Sequence, residues 1–236
     1  DCAHEIIHLP VRIPDDLRFA AETPERFAIS INGTNGFSKT GQRWVDPCFT
    51  VFQIHEGVIK PGRNVITLRC DFCDDINLEA IYLLGGFGVT LDKAAALIGE
   101  LPGKLAFGDF GLQSLPFYGA GVNCRIPLPA EIRTEKSTAL FSVRDYQAAC
   151  LKAENRIIVS APYELEISEE SKKNGFIDVQ CQLTRRNTFG PLHLVPPTPG
   201  AYSPSSFTSS GQSFASDGYA LVPQGITGGA EFLICG

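Results

Sequence analysis

Two arginines and an asparagine close an apolar run at Arg185-Arg186-Asn187, a Gly190-Pro191 pair turns the chain, and His193 follows. Guanidinium and amide groups make paired hydrogen bonds with hydroxyls and carboxylates, and an imidazole can give or take a proton. Trp44, the only tryptophan, stands two residues before Asp46, and Phe117-Tyr118 lies between two turn signals. An aromatic face flanked by planar polar side chains is the combination that holds a sugar ring, the ring taking its apolar face and the polar groups its hydroxyls. Trp44, Asp46, Tyr118, Arg186, Asn187 and His193 are therefore the candidate binding residues. A competing reading puts Trp44 and Phe117 in a core and pairs Arg186 with a surface acid, because large aromatics are mostly buried.

Hydrolysis of a glycoside needs two carboxyl groups about 5 to 9.5 Å apart across the sugar. Acidic residues are plentiful, as at Asp74-Asp75, Glu164, Glu166 and Glu169-Glu170, but they stand at turns and outward strand positions, where solvent is their ordinary neighbour. No G-x-S-x-G elbow presents a serine, and the serines of 203–216 lie in low-complexity sequence with no base beside them. "LLGGFG" (83–88) lacks the lysine of a phosphate-binding loop, so its glycines point to a bulge or a close backbone contact. No catalytic residue is expected in this chain. Cys70-Asp-Phe-Cys73 is a lone CxxC, and His4 and His8 lack a third ligand, whereas a zinc site needs three or four.

The 236 residues carry a formal charge of −6 with lysines and arginines scattered. That leaves no basic stripe of the kind that neutralises phosphates, and nucleic acid is not an expected partner. No apolar run approaches the roughly 20 residues of a spanning helix, so no membrane partner is expected either. No basic-then-apolar leader stands at the start, and a processed chain would not show one, so secretion stays open. Most of the eight cysteines sit singly among apolar strand residues, which favours buried free thiols in a reducing compartment over a disulfide framework. The chain contains no methionine, as expected of an excised fragment or of a sequence from which modified methionines were left out.

The elements that must position these residues are strands. "FAISING" (27–33) alternates inward Phe27, Ile29 and Ile31 before an Asn-Gly hairpin signal. "NVITLRCDF" (64–72) and "AIYLLGGFGVTL" (80–91) follow, and "LDKAAALIGEL" (91–101) is the one helix candidate of this half, or else a linker. "VNCRIPL" (122–128), "TALFSV" (138–143), "RIIVSAPYELEI" (156–167) and "FIDVQCQL" (176–183) repeat the style, the last with Asp178, Gln180 and Gln182 outward. A long loop rich in Pro, Ser and Gly comes after residue 195, and "YALVPQG" and "AEFLI" are expected to return the chain to the sheet. Many short strands separated by turns predict an all-β protein, with a domain boundary near residue 98 giving a first β-sandwich over 1–98 and a second over 99–236.

The halves echo each other. "FAISING", "WVDPCFTVFQI" and "IKPGRNVITLRCDF" run parallel to "TALFSV", "SAPYELEIS" and "KKNGFIDVQCQLTRRN", each reading as strand, Pro-and-aromatic segment, polar turn and long alternating strand. Ile29-Ser30-Ile31-Asn32-Gly33, Pro162-Tyr163-Glu164-Leu165-Glu166-Ile167-Ser168 and Pro61-Gly62-Arg63-Asn64 resemble the V-x-V-N-G, P-Y-E-x-D-I-T and G-x-N elements of the galactose-binding-like, sugar-binding jelly-roll domains of bacterial glycoside hydrolases. "RRNTFGPLH" (185–193) and "LPFYGAGV" (115–122) are similar to stretches of the non-catalytic C-terminal region of such proteins.

That resemblance implies two tandem jelly-roll β-sandwiches. It also implies a carbohydrate-binding or accessory region of a glycoside hydrolase, with poly- or oligosaccharide and the catalytic domain of a parent chain as partners. The alternatives are a structural or protein-interaction sandwich without a glycan site, and a glycosidase with a site between its domains. No cofactor is expected beyond a structural calcium ion, which the resemblance admits and for which Asp71, Asp74, Asp75 and Glu79 carry oxygen ligands, although not at the spacing of an EF-hand loop.

Overall fold

The computed structural model describes residues 2–10, 12–71, 73, 81–93, 95–197 and 214–235, and of residues 2–6 and 8 the backbone alone. The chain is all-β, built of antiparallel sheets with short helices between strands. It divides into two compact units, Asp1–Val89 with Leu97–Leu101, and Thr90–Ala96 with Pro102–Gly236.

The first unit runs through β1 (Cys2–Leu9), β2 (Arg18–Glu22), β3 (Ala28–Ile31), β4 (Phe37–Trp44), β5 (Asp46–Ile54), β6 (Gly62–Arg69) and β7 (Tyr82–Leu84). One sheet has the order β1-β6-β3 and the other β4-β5-β2-β7. Period-two alternation sends Ile29, Ile31, Ile66 and Leu68 of the first sheet and Phe19, Ala21, Phe52 and Ile54 of the second into a single apolar cluster, which makes the pair a sandwich.

Asn32 and Gly33, at φ 51° and 77°, form the expected tight turn, closed by Ile31 and Thr34 bonded to each other at 2.8 and 2.9 Å. It does not make a hairpin of β3 with β4, because β3 pairs with β6. The Asn32 side chain explains the departure: Nδ2 donates to the Val58 carbonyl and to Asn64 Oδ1, while Oδ1 accepts from the Val65 amide. Asn64 is itself fully buried, accepting from the Lys60 amide at 2.9 Å and donating to the carbonyls of Lys60 and Gly62 at 2.7 and 3.0 Å.

Gly85 and Gly86 separate two strands and meet Asp16. The Gly86 amide donates to Asp16 Oδ1 at 2.9 Å, and a Cβ on Gly85 would stand 3.2 Å from that oxygen, so close approach is why glycine is there. β8 (Phe87–Asp92) and β9 (Ala95–Glu100) then form a two-stranded piece with Lys93 at φ 53° between them. The alanine-rich run 91–101 is therefore extended, not helical. Ordinary residues differ by less than about 1 kcal/mol each in helix propensity, which tertiary pairing readily overrides. Residue 98 lies within β9.

The second unit continues with β10 (Gly108–Asp109), β11 (Gly121–Pro127), α1 (Ala130–Thr134), β12 (Ala139–Val143), β13 (Tyr146–Gln147), β14 (Cys150–Ala153), β15 (Arg156–Ile158) and β16 (Tyr163–Glu166). α2 (Glu169–Asn174), β17 (Phe176–Gln182), α3 (Arg186–Phe189), β18 (Leu194–Val195), β19 (Phe214–Ala215), β20 (Gly225–Ile226) and β21 (Ala230–Ile234) complete it. Sheets β11-β17-β14-β15 and β16-β12-β21 share one core, to which they send Val122, Ile126, Leu151, Ile177, Val179 and Cys181 from one side and Ala139, Phe141, Val143 and Leu165 from the other. Of the two closing runs, "AEFLI" joins the sheet as β21 beside β12. "YALVPQG" does not: residues 219–224 are irregular.

The two units repeat one strand plan. The order β1-β6-β3 of the first corresponds to β11-β17-β14 of the second, and β5-β2-β7 corresponds to β16-β12-β21. The counterpart of "FAISING" is thus "ACLKAEN" (149–155), not "TALFSV", which matches β2. Glu154 and Asn155 carry the paired positive φ values, 49° and 58°, that Asn32 and Gly33 carry in the first unit. Sequence alignment by the Asn-Gly turn misses this because a different dipeptide fills the same backbone shape.

Candidate functional site

Among the described residues, candidate side chains come together in several places. The first is the corner where β17 ends. Arg186, 5% exposed, donates from Nη1 to the Pro191 carbonyl at 2.6 Å, and Asn187, fully enclosed, donates to the Val222 carbonyl at 2.8 Å and accepts from the Val222 amide at 3.0 Å. Thr188 Oγ1 donates to the Phe117 carbonyl at 2.8 Å, which ties the corner to the 115–121 loop. Gly119 permits that approach: a Cβ there would lie 2.6 Å from Thr188 Oγ1 and 3.0 Å from the Thr184 carbonyl oxygen. Gln224, also buried, accepts from both the amide and the hydroxyl of Thr184.

A row of rings stands on this corner. The Phe117 and Tyr219 centroids are 5.1 Å apart and those of Tyr219 and His193 are 4.9 Å apart. Tyr118 is 41% exposed, with its hydroxyl donating to the Gly121 carbonyl at 3.1 Å. His193 is exposed, and its Nδ1 lies 3.2 Å from the Gly218 carbonyl oxygen. A carbonyl only accepts, so the neutral ring carries its proton on Nδ1 and leaves Nε2 to the outside.

Arg186, Asn187, Tyr118 and His193 thus belong to one region, but in two different capacities. Tyr118 and His193 face outward. Arg186 and Asn187 are buried, with Arg186 Nη1 and the Asn187 amide bonded to the backbone of the corner itself. An asparagine that bonds both groups of one distant residue in the interior does what a piece of sheet ladder would do, satisfying buried donors and acceptors that are costly to leave unmade.

The second place is the β4–β5 tip in the first unit, which holds Trp44 and Asp46. Trp44 and Asp46 face each other across Val45, a β-branched residue at φ 65°, where few side chains are found. Asp46 Oδ1 accepts from the Cys48 amide at 3.0 Å, and this bond holds its carboxyl below the usual range. Desolvation and the adjoining Asp46 push the Cys48 thiol up to about 11, so it stays protonated and is a poor nucleophile. The half-buried Trp44 ring packs 4.9 Å from Tyr82 and 5.8 Å from Phe49, so part of its surface is taken by neighbours.

The third place escaped sequence reasoning. On the outward face of the β11-β17-β14-β15 sheet, Arg125 Nε and Nη2 donate to the two oxygens of Asp178 at 2.8 and 2.9 Å, and Gln180 Nε2 donates to Asn123 Oδ1 at 3.0 Å. Lys152 stands opposite Gln180 on β14. These five side chains line an open depression of about 520 Å³. The outward alternation of Asp178 and Gln180 is legible in the sequence, but their partners on β11 come from a register that joins residues more than fifty positions apart.

Among the described residues no group of three or more His, Cys, Asp or Glu side chains could hold a metal ion. Of the four calcium-ligand candidates, Asp71 is exposed, while Asp74, Asp75 and Glu79 lie outside the described residues, as do the side chains of His4 and His8 and the run 198–213. Cys48, Cys124, Cys150, Cys181 and Cys235 are free thiols, of which only Cys181 is buried, so free thiols are fewer in the interior than expected. Among the described residues no helix is long and apolar enough to cross a membrane. Comparison with protein-family models, curated proteins and solved structures finds no match to the chain.

Proposed function

We propose that the chain is a non-catalytic carbohydrate-binding or accessory region of a glycoside hydrolase, folded as two jelly-roll sandwiches of galactose-binding type. Leaving aside β4 and β15, the six corresponding strands of each unit alternate between its two main sheets in the same order, which supports the jelly-roll reading. The observation that carries the binding reading is the row Phe117, Tyr219 and His193 with the exposed Tyr118 beside it, mounted on a corner whose buried amide and guanidinium fix its backbone. Rigid aromatic faces give contact area to a sugar at little entropic cost, and a ring nitrogen and a hydroxyl at their edge can meet its hydroxyls. The module would hold a polysaccharide near a catalytic domain of the parent chain, or brace that domain.

A glycan-array screen of the chain, run with Tyr118→Ala and His193→Ala, tests this reading. Binding that falls in both variants, with their near-UV circular dichroism unchanged, supports it. A second reading, a structural brace without a glycan site, is favoured by the way Arg186 and Asn187 spend their polar groups internally. It becomes the better account when no glycan binds the intact chain.

A further inference from the structure

On the outer face of β11 and β17 the side chains are tied across the strands and yet unfinished, and Lys152 of β14 stands beside them. Arg125 uses Nε and Nη2 on Asp178 and keeps Nη1, and its guanidinium carbon lies 4.0 Å from the centre of the Phe176 ring. Gln180 gives Nε2 to Asn123 Oδ1, which leaves the Asn123 amide hydrogens and the Gln180 carbonyl oxygen. Among the described residues no hydrogen bond or ion pair engages the Lys152 ammonium. Ile157, opposite Lys152 on β15, is 64% exposed.

We infer that this face binds an acidic oligosaccharide, one bearing uronate carboxylates. Lys152 and Arg125 Nη1 take a carboxylate, Asn123 and Gln180 take hydroxyls, and Ile157 lies against the apolar side of a sugar ring. The inference rests on the carbohydrate-binding reading but assigns a face other than the aromatic corner.

Three features of the face argue for that ligand. Side chains already fixed by cross-strand bonds lose little freedom when a ligand arrives, which is the condition for useful polar recognition. The unused ends are donors on Arg125, Asn123 and Lys152, with acceptors on Gln180 and on Asp178, whose charge Arg125 already meets; Lys152 is left as the uncompensated charge, which suits an anionic ligand. Strands about 4.8 Å apart spread these groups into a flat grid, a shape for a length of glycan rather than a compact metabolite. Gly121 preserves the grid, since a Cβ there would stand 3.0 Å from Gln180 Nε2.

The test titrates the whole chain with an oligogalacturonate and with a neutral galactan oligomer of equal length, at low salt and at high salt. The oligogalacturonate should bind, and Lys152→Gln should weaken it about threefold, the effect of one lost exposed charged contact. Salt should weaken it further, and Tyr118→Ala should leave it unchanged. Uronate binding that survives Lys152→Gln, or that disappears in Tyr118→Ala, overturns the inference. Neutral binding through Tyr118 without uronate binding also overturns it while leaving the corner as a glycan site. Failure of both oligomers to bind overturns the inference and leaves the aromatic corner to be judged by the glycan array.

Discussion

The two units follow one strand plan and differ in where the fourth strand goes. In the first, β4 extends the sheet of β5 and β2; in the second, β15 extends the sheet of β14 and β17. The broad four-stranded face therefore lies on opposite sheets. The faces also differ in chemistry. Counting from the shared register, the positions of Asp178 and Gln180 on β17 are held on β6 by Val65 and Thr67. A repeated fold need not repeat a site: moving one edge strand decides which sheet offers a broad surface, and the outward residues of that sheet are then free to diverge.

The units also secure the approach to their long strand differently. The first uses a neutral amide, Asn64, bonded to the Lys60 and Gly62 backbone and to Asn32. In the second Lys172, 5% exposed, donates to the carbonyls of Glu135 and Ser137 at 3.1 and 3.3 Å and pairs with Glu169 at 2.8 Å. The Asn64 position falls on Ile177 in the second unit by the shared register, and α2 supplies the polar pin instead.

Asn64→Ala should have the largest effect, a loss of about 3 kcal/mol, because several buried backbone groups lose their partners. Trp44 is the only tryptophan and lies in the first unit, so urea unfolding followed by its fluorescence reports this variant directly. Lys172→Met should cost about 2 kcal/mol, visible in far-UV circular dichroism while the Trp44 transition stays put. Added salt should narrow the Lys172→Met difference by screening its charge and leave the Asn64→Ala difference alone. A common shift of both transitions by either variant would break the comparison.

Asn155→Gly sharpens it with the opposite sign. At φ 58° glycine is less strained than asparagine, and the second unit should gain a few tenths of a kcal/mol in the same far-UV assay. The smallest effect belongs to the exposed Arg125–Asp178 pair. The guanidinium holds the Asp178 carboxyl below its ordinary range. A carboxylate depressed on folding contributes stability above its unfolded pKa, and that contribution fades as pH falls through the folded value. Arg125→Ala should therefore lower the unfolding midpoint slightly near neutrality and not at all in strong acid.

The strands carrying strict alternation were legible in sequence, as Ile29 and Ile31, Ile66 and Leu68, and Ile177 and Val179 show by facing inward. Period two needs only local residues. The grid of Asn123, Arg125, Asp178 and Gln180 was not legible, because register is fixed by the whole sheet. The burial of Arg186 and Asn187 was not legible for another reason: residues of these types are mostly exposed, and nothing local reveals that Pro191 and Val222 await them. The Ala-rich run 91–101 misled because weak helix propensity gives way to strand pairing.

The Asn187–Val222 clasp spans 35 residues of chain, and β12 sits between β16 and the much later β21. During synthesis, which runs from the first unit to the second, the second unit stays open until residues 222–234 arrive. The first unit has its seven strands in hand by residue 84. The chain thus has a built-in order of assembly, with an early sandwich and a late one, and the late one exposes its unfinished edge for longer.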